Sequence, residues 1–259
     1  MELRLESWIN HRIVKAMAEF EMIEEGDNVL VGISGGKDSS FLLYALTVLK
    51  KYFSVNFNLK AVTVNPGFNN KEIYDDLSSY VEKLNIQYEI IETEIAQYIL
   101  NKDVDNPCSK CAHFRKGALV SYMKENNFNK LAFGHHYDDA VETFLMSIIY
   151  SGQISSLQPI RHLSQNDVYI IRPLIYLRED TIIREIEKLD INILESHCPY
   201  DKVNKRAEIK DNFPDLFKNK QLFYNTAAAM RAGRKVEFWP EKKDDKMISE
   251  KMNYFWKGK

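Results

Sequence analysis

Apolar positions along this chain follow two rhythms that take turns. Residues 3–22 place Leu5, Trp8, Ile9, Ile13, Met17 and Phe20 near one face at helical spacing, and Gly26 and Asp27 end that segment. Short β-branched runs then alternate with longer helical ones. "NVLVGIS" predicts a strand and 38–51 a helix, "LKAVTVN" a second strand and 70–84 a second helix. "QYEIIET" predicts a third strand, followed by a helix from about Cys108 to Asn126. "KLAFGH" predicts a fourth strand with a helix from Asp138 to Tyr150, and "VYIIRPL" a fifth with a helix over 178–189. Such alternation predicts an α/β fold, a doubly wound parallel sheet. Ligands in that architecture bind at the carboxyl ends of the strands. Three motifs fall there: Ser34–Ser39, Asn65–Phe68 and Gly134–Asp139. The pattern loosens after Pro199, so the expected organisation is an N-terminal helix (1–26), a central α/β domain (27–199) and a helical extension (200–259).

Composition narrows the class. A chain of 259 residues with 45% hydrophobic content can bury a sizeable core, and no stretch has the length of a membrane span. "MELRLESWINHRIV" carries charges throughout and lacks a signal core, and three cysteines, an odd number, suit reduced thiols. A cytoplasmic protein with no membrane partner is expected. Net charge is −2, but Tyr200–Lys259 holds 15 Lys/Arg against 9 Asp/Glu, while the preceding residues hold 20 against 28. A basic extension on an acidic body is either a polyanion footprint or a solvated lysine-rich tail.

The chemistry begins at "VGISGGKDSSFL", residues 31–42. Gly35 and Gly36 let the backbone turn sharply and approach a ligand without a Cβ in the way. Unpaired N–H groups of the following helix favour an anion at that spot. Ser34 and Ser39 add hydroxyls and Lys37 a cation. The spacing is neither that of Walker A nor the dinucleotide fingerprint. A carboxylate, Asp38, inside a phosphate nest calls for a metal ion or a donor cluster. In "GHHYDDAVET", two histidines end a strand and two aspartates open a helix. Asp138 suits a simple cap, whereas Asp139 and His136 are expected to assist with metal and phosphate. Arg172 is a candidate for phosphate or RNA, or an ordinary core-edge arginine.

"NPCSKCAHFRKGAL" sets Cys108 and Cys111 at a helix start, where both sulfurs face one metal and the helix N-terminus stabilises thiolates. Cys198 follows 87 residues later. Three readings compete: zinc completed by His197 or His113, a redox pair that leaves Cys198 idle, or a 4Fe–4S cluster on three thiolates with one iron open. Residue chemistry alone leaves zinc and iron–sulfur both open.

A resemblance bears on that choice. "SGGKDS" is similar to the SGGxDS motif of the pyrophosphatase-loop ATPases, which cleave ATP between the α and β phosphates and activate a substrate as its adenylate. "MAEFEMIEEGDNVLVGISGGKDS", "PCSKC", "LAFGHHYDDAVETFLMSIIYSG", "IIRPLIYLRE" and "CPY" follow the order seen in the tRNA 2-thiocytidine synthetases, over about residues 10–215. The resemblance implies an adenine-nucleotide α-hydrolase-like fold of the HUP type. It implies that Ser34, Gly35, Gly36, Lys37, Asp38 and Ser39 cradle ATP, with Val64 and Gly134 beside it and Mg²⁺ positioned by Asp38. It implies Asp38, Asp139 and His136 as catalytic residues, and Cys108, Cys111 and Cys198 as ligands of a 4Fe–4S cluster that delivers sulfur. The implied substrate is a tRNA cytidine of the anticodon loop, at position 32 in the family, with a cysteine desulfurase or free sulfide as sulfur donor and a homodimer as a candidate assembly. Lys202, Lys205, Arg206, Lys210, Arg231, Arg234 and Lys235 are candidates for the tRNA backbone, and Trp239 and Trp256 for base stacking. The chain departs from the family in "HCPYDK" around the third cysteine and in "GRKVEFWPEKKDDKM", for which the family offers no counterpart. Competing functions are a lysidine-type tRNA modification, a desulfidase of thiolated bases, and a non-catalytic nucleotide- or RNA-binding module.

Overall fold

The computed structural model of the chain describes residues 4–68, 71–101, 104–189, 191, 193, 205–231 and 244–256. In chain order the elements are α1 (Ser7–Glu19), β1 (Asn28–Gly32), α2 (Lys37–Lys50), β2 (Asn58–Asn65), α3 (Lys71–Lys83) and β3 (Gln87–Glu92). Then come α4 (Ile95–Asn101), α5 (Pro107–Glu125), β4 (Lys130–Ala132), α6 (Tyr137–Ser151), β5 (Ile160–Leu163), β6 (Val168–Ile171) and α7 (Glu179–Leu189). Beyond α7 lie α8 (Lys205–Asn212), α9 (Pro214–Lys218), α10 (Lys220–Ala229) and α11 (Asp245–Trp256).

The sheet runs β3-β2-β1-β4-β6-β5. Alternation along the strands explains its two covered faces. Val29, Val31, Ala61, Ala132 and Ile171 point into a core shared with α1, α2, α3 and α7. Leu30, Val62, Val64, Leu131 and Ile170 point the other way, onto α4 and α5. A central parallel strand covered on both sides reads as an unbroken apolar run, as "VLV" does in β1. α2 is apolar nearly all round, with every residue from Ser39 to Leu49 buried. Each such buried Leu or Phe contributes about 1.5–3 kcal/mol. The helix that follows the glycine loop is therefore a rigid post.

Two elements depart from the expected pattern. α4 adds a short helix after β3. β5 pairs antiparallel with β6, so the sheet is parallel except at that edge. β6 is the strand expected as the fifth. "IRHL" is short and alternates no apolar face. Its identity as a strand comes from the tight return at Asn166, whose N–H donates to Leu163 O at 2.9 Å. α1 buries Ile9, Ile13, Ala16 and Met17 in the same core as α2. Strand order reverses between β1 and β4, so the loops leaving these strands part there and leave a crevice.

Candidate active site

Both loops at that crevice carry motifs singled out above. The segment after β1 is held by its own serines. The Ser39 hydroxyl donates to Gly36 O (3.0 Å) and accepts from Ser34 N (3.1 Å), and the Ser34 and Ser39 oxygens lie 3.1 Å apart. Gly35 takes φ +81°, a left-handed turn that a Cβ would strain. Gly36 is the N-cap of α2, so the unpaired amides of Lys37–Ser39 surround the loop. Lys37 turns sideways, its Nζ 3.0 Å from Asp38 Oδ2 and 2.8 Å from Glu179 Oε1.

The loop after β4 presses against this one. A Cβ on Gly134 would stand 2.6 Å from the Asp38 carbonyl carbon and oxygen and 2.9 Å from Ser39 N. Gly134 is thus the residue that lets the two loops touch. His136 caps α6 in a capping box: its Nδ1 accepts from Asp139 N (3.4 Å), and Asp139 Oδ2 accepts from His136 N (2.9 Å). In the neutral ring Nε2 then carries the hydrogen, 3.7 Å from Asp38 Oδ1 and 3.5 Å from Asp139 Oδ2. His136 is only 3% exposed and stands behind the two carboxylates, while its neighbour His135 forms part of the cavity wall.

Asp138 has a different task. It accepts both from Arg178 Nε (3.0 Å to each oxygen) and from Glu179 N (2.9 Å), so it pins the start of α7 to the start of α6. Arg178 in turn stacks 3.5 Å from the Phe223 ring centroid. Asp138 does not make the expected cap of α6, which His136 and Asp139 form; it accepts instead from the first amide of α7. Glu179 then bridges Lys37 and Lys210, the latter at 2.5 Å. Burial opposes its ionisation, yet the two ammonium groups outweigh that and bring its pKa down to about 2.

A cavity of about 650 Å³ opens between these loops and α5. Ser34, Asp38, Ser39, Val64, Gly134 and Asp139 line one side. Ser109, Ala112, His113 and Lys116 line the other, at the i, i+3, i+4, i+7 spacing of one face of α5. Arg115, Arg161, Arg172 and Arg206 complete the wall. Arg172 donates from Nε to His135 Nδ1 (3.2 Å) and from Nη1 to Gln158 O (2.5 Å). A guanidinium only donates, so Nδ1 accepts and His135 is the neutral Nε2–H tautomer. Burial first, then the Arg172 charge, push its pKa down to about 4. Burial and the neighbouring Arg161 likewise lower Arg172, to about 10. Asp139 stays below its ordinary carboxylate value: burial opposes this, but His136 and Arg206 outweigh it.

Cys108 and Cys111 occupy the first turns of α5, one exposed and the other half-buried. Asn106 enters that helix in the left-handed region (φ 53°), Pro107 stands at its first position, and no acid lies in the first turn. Their i, i+3 spacing places the two cysteines within one helical turn, so the pair fits two ligands of a thiolate-bound cluster. Cys198 lies outside the described residues, as do His197, Lys202, Arg234, Lys235 and Trp239. Magnesium fits the other wall. Asp38 Oδ1 is buried with no hydrogen-bond partner. Among the described residues no three His, Cys, Asp or Glu side chains converge on one point. Asp38 and Asp139 suit an ion that they share with phosphate oxygens.

Of the predicted site residues, Ser34, Asp38, Ser39, Val64, Gly134 and Asp139 line the cavity, whereas Gly35, Gly36, Lys37 and His136 do not. Glu179, Arg161, Arg115 and Lys116 were missed. For the last two the α5 face shared with the cysteine turn was the available signal. Arg206, Lys210 and Arg231, expected on the tRNA backbone, are paired within the chain to Asp139, to Glu142 and Glu179, and to Glu19.

A glycine-serine phosphate cradle at the switch point of a doubly wound sheet, with carboxylates placed for a metal, defines an ATP-handling α/β protein. The chain belongs to the PP-loop family, whose domain model matches residues 5–215. It is 33% identical over 214 residues to a tRNA-cytidine(32) 2-sulfurtransferase from Ralstonia pickettii, covering 80% of this chain and 67% of that protein. A tRNA-cytidine(32) 2-sulfurtransferase from Dichelobacter nodosus is 36% identical over 203 residues, covering 76% and 74%. Among solved structures, the U34-tRNA thiolase of Methanococcus maripaludis with its 4Fe–4S cluster superposes with a TM-score of 0.69 at 26% identity, over 86% of this chain and 77% of that one.

Proposed function

We propose that this chain is an ATP-dependent tRNA thiolase of the cytidine 2-sulfurtransferase type. It activates the C2 oxygen of an anticodon-loop cytidine as an adenylate and replaces that oxygen with sulfur. The observation that carries the reading is the cavity bounded on one side by Ser34, Asp38 and Ser39 and on the other by the Ser109–Lys116 face of α5, the helix whose first turns hold Cys108 and Cys111. ATP bound at the first wall lies across this space from the helix that carries the cysteine pair.

The chain's own groups divide the work. The amides opening α2 and the Ser34 and Ser39 hydroxyls hold phosphate oxygens where charge develops as diphosphate leaves. Asp38 and Asp139 hold magnesium, His136 fixes the spacing of their carboxylates, and Val64 lines the nucleotide's apolar side. His135 offers its Nε2–H to an acceptor in the cavity. Cys108, Cys111 and Cys198 hold a 4Fe–4S cluster. When bound, magnesium neutralises the leaving diphosphate and the cluster supplies sulfur. The base must reach this wall unstacked, as a loop nucleotide can and a paired one cannot. The chain works on tRNA, and no described helix is long and apolar enough to cross a membrane. A cytoplasmic setting, a cysteine desulfurase or free sulfide as donor, and a homodimer complete the proposal.

The test is anaerobic purification followed by iron and sulfide analysis, then reaction with tRNA and ATP and mass spectrometry of the nucleosides. Iron with equal acid-labile sulfide, ATP-dependent 2-thiocytidine, and loss of both iron and product in Cys108→Ala, Cys111→Ala and Cys198→Ala are expected. One zinc and no iron, or full thiolation by the cysteine variants, overturns the reading.

A further inference from the structure

The cavity's charge is lopsided. Among the described residues, Arg115, Lys116, Arg161, Arg172 and Arg206 line it against the carboxylates of Asp38 and Asp139. Five cations crowd one another: Arg161 and Arg206 both depress Arg172. Packing like charges around one space raises the local concentration of a multiply charged anion.

Of the five, Arg206 is the one supplied from beyond α7. It rides on α8 and reaches back to pair with Asp139 Oδ1, its side chain 34% exposed. α8 has other anchors. Lys210, one turn on, lies 2.5 Å from Glu179 Oε2 and 3.0 Å from Glu142 Oε1. Ile209 is 1% exposed, and α10 buries Phe223 and Ala227 against Val141 of α6. α8 is thus docked by Lys210, Ile209 and the helices that follow it. Asp139, in turn, is already held by the His136 amide through the capping box. A partly exposed guanidinium in a cationic wall, on a helix with these other anchors, has the features of a ligand contact. Its planar fork suits phosphate oxygens in particular.

We propose that Arg206 is a phosphate-binding residue of the nucleotide site, donating to phosphoryl oxygens of ATP and of the departing diphosphate from the side opposite Ser34–Ser39. α8 thereby closes the phosphate cradle, and Asp139 is the guanidinium's resting partner. This rests on the ATP-binding reading above.

The experiment is calorimetric titration of the full chain with magnesium-ATP, with magnesium and inorganic diphosphate, and with adenosine, in the absence of tRNA. Arg206→Gln and Arg206→Lys are compared with the unaltered chain, each also in an Asp139→Asn background. Arg206→Gln should weaken ATP and diphosphate at least tenfold, leave adenosine within twofold, and keep the melting temperature within a few degrees. Arg206→Lys should recover part of the loss, and the loss should persist alongside Asp139→Asn. Equal affinity of Arg206→Gln for diphosphate, a loss that vanishes in the Asp139→Asn background, or a loss that tracks unfolding overturns the assignment. If the unaltered chain binds no ATP, the nucleotide reading itself fails; if it binds and Arg206→Gln binds equally, only this inference does.

Discussion

Replacing Gly134 by alanine tests the contact on which the site's geometry depends. The added methyl would lie 2.6 Å from the Asp38 carbonyl group and 2.9 Å from Ser39 N, where an ordinary contact begins near 3.4 Å. Both obstacles are backbone, so no side chain can rotate away, and the end of β4 and the start of α2 must part by about 0.8 Å. Gly134 does not have a positive φ, so the backbone itself accepts alanine and the whole effect is steric. Overpacking of this kind costs about 1–3 kcal/mol, or roughly 2–12 °C of melting temperature in a chain of this size. A displacement approaching 1 Å at Asp38 should lower diphosphate release about a hundredfold. Gly117→Ala is the matched control: it sits in α5 with nothing within 4 Å of the new methyl. It should stabilise by about 0.5–1 kcal/mol. Scanning calorimetry and diphosphate release read both variants. Normal melting and normal release in Gly134→Ala would refute the claim that the two loops are in contact.

Two other perturbations follow from buried groups. Asp138→Ala leaves the Arg178 guanidinium and the Glu179 amide without their acceptor, which should cost about 3–5 kcal/mol and free the start of α7; denaturant titration measures it, and a loss under 1 kcal/mol would contradict the staple. His135, with its pKa pushed from 6.5 to about 4, resists a proton that the unfolded chain accepts. Stability should therefore be flat above pH 6.5 and fall as pH drops from 6.5 towards 4, by up to about 3 kcal/mol. His135→Gln should abolish that portion of the slope in urea unfolding at stepped pH.

Much of this site was visible in the residues because its signals are local. Ser34, Gly36 and Ser39 interact within six positions of one another, so the loop shows in its spacing, whereas the His136–Asp139 capping box, equally local, was read only as a metal and phosphate pair. What stayed hidden was set by contacts between distant segments. Nothing near Glu179 in sequence announces Lys37, some 140 positions away, and Arg206 looked like one more charge on a basic extension until α8 was seen against α6. The choice between His135 and His136 was equally illegible: they are adjacent, and the capping geometry of α6 decides which one turns inward. β5 was missed because four residues of mixed character form a strand only through their neighbour.

The order in which the site's charges are encoded has its own consequence. Asp38 and Asp139 lie before position 140, while Arg206 and Lys210, which pair with Asp139, Glu142 and Glu179, come from α8, after the last strand of the sheet. On the ribosome every strand of the sheet is thus made before the partners of Asp139 and Glu142. The anionic side of the pocket is laid down first, and its α8 cations join afterwards.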